Sequence, residues 1–364
     1  MDRVREAMGS AGLDALLVSL GGDLPWLTGY EAMPLERPTM LVLPVDDQAT
    51  LVVPALEAPR VVEDPALFCL RPWDETEDPV EVVARLVGGR RHLGVSDRTW
   101  ASVVLALQAR LPRALWRPAS AVTGPLRAVK DDDEVTALRA AARAADEVAT
   151  ALRAGEVRLI GRTEAEVAAE LGERLRAAGT RRVNFALVGS GPNAASPHHE
   201  AGVRRIGPGE VVVCDFGGSL SCGEDEPGYC SDITRTVVTG PPDPALVELY
   251  QVLEDAQARA VAGSVVGQTC EGVDALARRP IAGAGYGHAF VHRTGHGIGL
   301  EEHEEPYLVA GNGQVVRAGN AFSVEPGIYL AGRFGARIED IVVATPDGPE
   351  PLNRVDHGLA VVEA

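Results

Sequence analysis

The sequence predicts two domains, a mixed α/β domain over residues 1–125 and an α+β domain over residues 126–364. Three observations predict this. The chain has 364 residues, enough to bury two separate cores. Its first third alternates short apolar runs with turn residues and helix-like stretches. The remainder opens on long helical patterns and closes on β-rich segments.

In chain order, the apolar runs ALLVSL, WLTGY, TMLVLP and TLVVPA punctuate the first domain, with PVEVVARLV and SVVLALQARL as helices. A break is expected at Val122–Pro125, where Gly and Pro favour a turn. From Lys130 to Gly155, acidic residues lead, Ala and Leu follow, and a glycine ends the run, which is a helix signature. Thr163 and Glu166 form a capping box for a second helix reaching about Ala178. Strands are expected at Val183–Gly189, Val211–Gly217 and Tyr229–Thr239, then helices at Pro244–Val266 and Cys270–Ala282. FSVEPGIYL and ARIEDIVVAT are the clearest late strands.

Composition narrows the function. Apolar residues make up 46% and charged residues 24%, so disorder is not the default. The formal net charge of -18 argues against nucleic acid as a partner. No apolar run reaches membrane-spanning length, and the run after Gly12 lacks a small-residue cleavage site, so it reads as a strand and not a signal peptide. The five cysteines, Cys69, Cys214, Cys222, Cys230 and Cys270, are scattered in a way that suits a reduced, cytoplasmic protein.

Chemistry is concentrated in the second domain. Asp215 ends the apolar run VVVC; alone it could be a turn cap. Asp232 in GYCSDITRT could pair with Arg235. Glu325 and Glu339 stand in two apolar strands, Glu325 just before a Pro-Gly turn and Glu339 sharing a strand face with Arg337. Such buried carboxylates are costly unless cations hold them ionised. His292, His296 and His303 crowd a stretch containing Gly295, Gly297 and Gly299, where backbone can approach closely or adopt positive φ. Two aspartates, two glutamates and one imidazole suit a pair of divalent ions sharing carboxylates, which would activate water near neutral pH.

SGPNAASPHHE, VVVCDFGG, GYCSDITRT, HRTGHGIGLEEHE, SVEPGIY and ARIED, in that order, resemble the pita-bread-fold metallopeptidases. The first domain, best in GLDALLVSLGGDLPWLTGY, resembles the N-terminal domain of the prolidase, aminopeptidase P and creatinase branch. The resemblance implies that Asp215 binds one metal, Asp232 and Glu339 bridge both, and His296 and Glu325 complete the other. Glu325 would also accept a proton from the bridging water. His198, His303 and His292 would face the substrate, and Arg337 would steady Glu339; His199 has no matching role. The implied activity is hydrolysis of the bond before proline, with dipeptides preferred; the alternatives are aminopeptidase P activity on longer peptides and an inactive peptide- or protein-binding relative. The implied cofactors are two divalent ions, manganese first and cobalt, zinc or iron next, in a homodimer. One departure is the longer spacing from Asp215 to Asp232, which places an insertion in Ser219–Gly228 at a hairpin tip.

Overall fold

The computed structural model describes residues 1–221, 223 and 227–362. The chain divides into two compact units, the first formed mainly by Met1–Arg127 and the second mainly by the residues from Ala128 on.

The first unit begins with α1 (Asp2–Ala11), ended by Gly12 at φ 66°, and β1 (Ala15–Val18). The run WLTGY is not a strand: its first residues lie on the short helix α2 (Asp23–Thr28). There follow β2 (Met40–Pro44), β3 (Ala49–Pro54), β4 (Phe68–Trp73), α3 (Pro79–Val87), β5 (His92–Val95), α4 (Ala101–Arg110), β6 (Leu115–Pro118) and α5 (Ser120–Arg127). The six strands form one mixed sheet in the order β4-β3-β2-β1-β5-β6. Leu16 and Val18 pack with Met8 of α1 and Val122 of α5. Ala15 and Leu17 pack with Val83 of α3 and Leu107 of α4. The central strand is thus buried on both faces, which explains why it reads as a continuous apolar run. The break expected at Val122–Pro125 is helical, because α5 runs through it. Tertiary contacts hold that turn: Thr123 donates to the buried Asp23 at 2.8 Å, and Arg127 pairs with the same carboxylate at 2.9 Å.

The second unit opens with α6 (Asp132–Arg153) and α7 (Glu164–Ala177), each carrying a complete capping box, at Asp131/Glu134 and Thr163/Glu166. Then come β7 (Arg182–Ser190), β8 (Val211–Leu220), β9 (Tyr229–Cys230), β10 (Ile233–Val238), α8 (Pro244–Ala262) and α9 (Cys270–Gly283). The β-rich end holds β11 (Gly295–Gly297), β12 (Glu304–Leu308), β13 (Ala321–Val324), β14 (Gly327–Leu330), β15 (Phe334–Arg337), β16 (Asp340–Thr345), β17 (Gly348–Pro351) and β18 (Ala360–Val361). One sheet runs β18-β10-β8-β7 with β9 added on β8, a second runs β12-β11-β13-β16-β17, and β14 pairs with β15. The helices α6 and α7 bury Val148, Leu152, Val167 and Leu171 against Val212, Cys214 and Phe216 of β8. The helices α8 and α9 bury Leu249, Leu253, Val273 and Ala277 against Phe322, Ile328 and Val342.

Three expected strands are interrupted. Tyr229–Thr239 splits at Ser231–Asp232, FSVEPGIYL at Glu325–Pro326, and ARIEDIVVAT at Ile338–Glu339. Pro326–Gly327 does not reverse the chain; it carries it out of the five-stranded sheet into the β14–β15 hairpin. Across from it, Ile338–Glu339 carries the chain back, between the pairs Gly327↔Arg337 and Val324↔Asp340. The insertion links β8 to β9, whose pairing Ser219↔Cys230 continues the ladder; its residues 222 and 224–226 lie outside the described residues.

Candidate metal centre

Three of the five acids and imidazoles singled out from sequence sit at those strand interruptions. Asp232, Glu325 and Glu339 lie between named strands, and Glu339 keeps a single backbone bridge to Thr234. Asp215 sits within β8, opposite Thr234 of β10. His296 sits at the middle of β11. The glycines beside it serve close approach and not positive φ. A Cβ on Gly295 would lie 1.8 Å from the Ser323 carbonyl oxygen, and one on Gly297 would lie 2.1 Å from that of Glu305. Only glycine lets the neighbouring backbones close on both sides of His296.

Ligand atoms of Asp232, His296 and Glu339, all buried, lie within 4.8 Å of one another. His296 Nε2 is 3.3 Å from Glu325 Oε1 and 3.8 Å from Asp232 Oδ2. Its Nδ1 lies 3.1 Å from the Gly297 carbonyl, an acceptor only, so Nδ1 carries the proton and Nε2 presents its lone pair to the acids. Asp215 flanks this group, ion-paired to Arg337 Nη2. The Thr234 hydroxyl lies 3.0 Å from Asp215 and 2.6 Å from Glu339, so one proton serves two carboxylates. It also accepts from Arg337 Nε at 2.9 Å.

The electrostatics follow from crowding acids away from water. Burial first, then repulsion from Glu339, Asp215 and Glu325, raises the Asp232 carboxyl well above its usual range. Burial and Glu325 do the same to Glu339. Glu325 is pushed up to about 7, mainly by burial. Burial takes His296 down to about 3, so its imidazole is neutral at pH 7. Burial works against the charge on Arg337, but Asp215 and its neighbours hold it firmly protonated. Arg337 ion-pairs with Asp215 and Glu339, and with Arg293 acting on Glu325 from farther away, four carboxylates still outnumber the positive charges around them. Moreover, Asp232 Oδ1 is buried without a hydrogen-bond partner. Oxygen-rich donors with one neutral imidazole and an orphaned carboxylate oxygen fit divalent metal ions.

The two bland readings of the aspartates fail. Arg235 is fully buried on Asp340, at 2.7 Å, and on the Glu339 carbonyl, also at 2.7 Å; it does not pair with Asp232. Asp215 is interior to a strand and caps no turn. Arg337 is nearest to Asp215, with Glu339 farther away at 3.9 Å, so its principal partner differs from the expected one.

Around the centre, the His303 ring lies 3.9 Å from the His296 ring and is exposed. His198 is also exposed, and the carbonyl of Pro197 before it accepts from Arg337 Nη1 at 3.3 Å. His292 Nε2 meets the Tyr329 hydroxyl at 3.0 Å, which in turn accepts from Arg337 at 3.0 Å. Sequence reasoning missed Thr234, Tyr329 and Ser323; the last lies 3.1 Å from Glu325 and accepts from the His296 backbone at 3.0 Å. A signal existed: Thr234 and Ser323 each stand two residues from an acid, the repeat that puts side chains on one face of extended chain.

The fold and this donor set define a metal-dependent hydrolase. The chain belongs to Metallopeptidase family M24, which matches residues 136–346, and residues 1–129 match the Creatinase/Prolidase N-terminal domain. It is a metallopeptidase with the pita-bread catalytic fold. It is 44% identical over 360 residues to a Mycobacterium tuberculosis protein named "Probable dipeptidase PepE", covering 98% of this chain and 94% of that one. It is 32% identical to the Xaa-Pro dipeptidase of Lactobacillus delbrueckii subsp. lactis, covering 100% of this chain and 98% of the relative. The crystal structure of dipeptidase PepE from Mycobacterium ulcerans superposes with TM-score 0.91 at 43% identity, over 99% of this chain and 96% of the other.

Proposed function

We propose that this chain hydrolyses Xaa-Pro dipeptides with two divalent ions held by Asp215, Asp232, His296, Glu325 and Glu339. The observation that carries the metal assignment is the unpartnered, buried Asp232 Oδ1 beside His296 and Glu339. The dipeptide preference is supported by the relatives named dipeptidase and Xaa-Pro dipeptidase, which match over nearly the whole chain. When bound, the ions would make a water nucleophilic near neutral pH and polarise the carbonyl under attack. Glu325, held by Ser323, accepts the proton of the attacking water. The exposed imidazoles of His198 and His303 face the substrate, stabilising the developing oxyanion or protonating the leaving nitrogen. Arg337 and Thr234 orient Asp215 and Glu339, and His292 supports Arg337 through Tyr329.

The metal is manganese in this reading, and the enzyme is a cytoplasmic homodimer; no helix among the described residues is long and apolar enough to cross a membrane. A substrate panel tests the function. Xaa-Pro dipeptides and Xaa-Pro-Xaa tripeptides are assayed with metal content measured in parallel, before and after chelation and reloading with manganese, cobalt, zinc or iron. Dipeptides should turn over faster, chelation should abolish activity, and manganese should restore it best. Faster tripeptide cleavage would make the chain an aminopeptidase, and full activity in metal-free protein would remove the mechanism. Light scattering checks the dimer.

A further inference from the structure

A second buried carboxylate stands away from the metal centre. Glu164 opens α7, just after the capping Thr163, and has no exposed surface. Its two oxygens accept from five groups. Oε1 takes the Ser190 backbone N–H at 2.8 Å and the Ser190 hydroxyl at 2.7 Å. The Asn193 amide lies 3.1 Å from both oxygens. Oε2 takes His199 Nε2 at 2.8 Å and the Gly202 N–H at 3.4 Å. Burial opposes its charge, but these donors outweigh burial and hold the carboxyl below its ordinary range. A carboxylate accepts only, so His199 must present Nε2–H.

These donors belong to one segment. Ser190 ends β7, Asn193 lies in the 3₁₀ turn Gly191–Ala195, and His199 and Gly202 lie on the return. The return is fastened again where the backbones of Glu164 and Ala165 donate to Arg204 and Gly202, both at 3.0 Å. The segment's exposed functional residue is His198. It lies between two anchors: Pro197, whose carbonyl is held by Arg337, and His199, held by Glu164. With neighbours on both sides tied to buried charges, the backbone at His198 has little freedom left.

We propose that Glu164 and His199 are positioning residues for the reaction, acting by fixing the loop that aims His198 at the substrate. The inference rests on the reading of His198 as a substrate-side group. It reverses the sequence-based expectation that His199 is a bystander. His199 touches neither the metal ligands nor the centre's carboxylates; its effect on rate must pass through its neighbour. Glu164→Gln is not conservative here. It would turn an amide N–H toward a donor that now meets a carboxylate oxygen.

The test is a double-variant cycle on the metal-loaded enzyme with a Xaa-Pro dipeptide. His199→Ala should lower kcat about tenfold, with KM and metal content near wild type. His199→Gln, whose amide can reach Glu164, should recover to within about threefold of wild type, whereas the shorter His199→Asn should resemble His199→Ala. Combined with His198→Ala, the His199→Ala change should add less than about twofold, because its effect is already spent. His199→Ala at wild-type rate beside a crippled His198→Ala would overturn the anchor alone. Equal losses from His199→Ala with and without His198 would overturn it too. A wild-type rate in His198→Ala would overturn both the role of His198 and the anchor built on it.

Discussion

Thr234 is a small side chain that ties three charged members of the centre together. Its hydroxyl stands between Asp215 and Glu339 and receives Arg337. Thr234→Val keeps the shape of the side chain and removes all three contacts. Two carboxylates then lose their shared donor, and a guanidinium N–H is left unpaired in a buried site. Metal affinity should fall by about tenfold or more, with the fold kept. Titration of the apoprotein followed by isothermal calorimetry measures it, and unchanged affinity would make the hydroxyl incidental. Glu339→Gln tests the neighbouring carboxylate. The exchange is nearly isosteric and removes one negative charge beside Asp232 and His296. At least one metal should be lost and turnover should drop steeply. Retention of two metals at near-normal rates would make Glu339 structural.

At the scale of elements, the centre exists because strands stop where acids are needed. The β13–β14 and β15–β16 segments exchange sheets side by side, which leaves Glu325 and Glu339 between strands, with Glu339 bridged to Thr234. The strand carrying His296 is held just as tightly, and Gly295 sets the limit. In Gly295→Ala the new methyl would meet a backbone oxygen at 1.8 Å, which no side-chain rotation relieves. Separating β11 from β13 should destabilise the protein by about 3 kcal/mol or more and carry metal binding away with it. Gly283→Ala is the control. It sits at the end of α9 with nothing within 4 Å of the added Cβ, so its melting temperature should hold or rise slightly. Equal behaviour of the two variants in a thermal melt would show that the close approach at Gly295 is not limiting.

For the whole molecule, the proposed metal ligands are the same carboxylates that burial keeps protonated. Asp232 and Glu339 are raised well above their ordinary values and Glu325 to about 7. A group with a raised folded pKa binds more protons in the folded state. In the metal-free protein, these acids therefore lower stability progressively as pH rises above the ordinary carboxylate range, near 3.8 to 4.5, the part due to Glu325 running to about 7. A bound cation replaces the protons and removes that penalty. The difference in melting temperature between metal-loaded and chelated protein should grow between pH 5 and pH 8, since metal also binds more tightly there. Scanning calorimetry of both forms reads it; a difference that shrinks with pH would mean that these carboxylates are not the metal's ligands.

Sequence alone carried the two-domain plan, the helices α6 and α7 and the Thr163/Glu166 capping box of α7, and it grouped Asp215, Asp232, His296, Glu325 and Glu339 as one proposed chemical set. Those features are local: capping is a matter of residues three apart, and a charged group in an apolar run announces itself wherever the run folds. What stayed hidden depends on partners far along the chain. The turn signal at Val122–Pro125 yields to a helix because Asp23, about a hundred residues earlier, binds Thr123 and Arg127. The interruptions at Glu325 and Glu339 arise where the chain changes sheets, and the one at Asp232 where the chain breaks its pairing with β8, and no period-2 pattern records either. Arg337 faces Asp215 before Glu339, and His199 lies on Glu164, because packing brings β8, β15 and α7 to them. Residue types and spacing could name the acids and imidazoles of the centre; only the folded backbone could decide which donor each one meets, because a hydrogen bond depends on distances of a few tenths of an ångström between segments that are far apart in sequence.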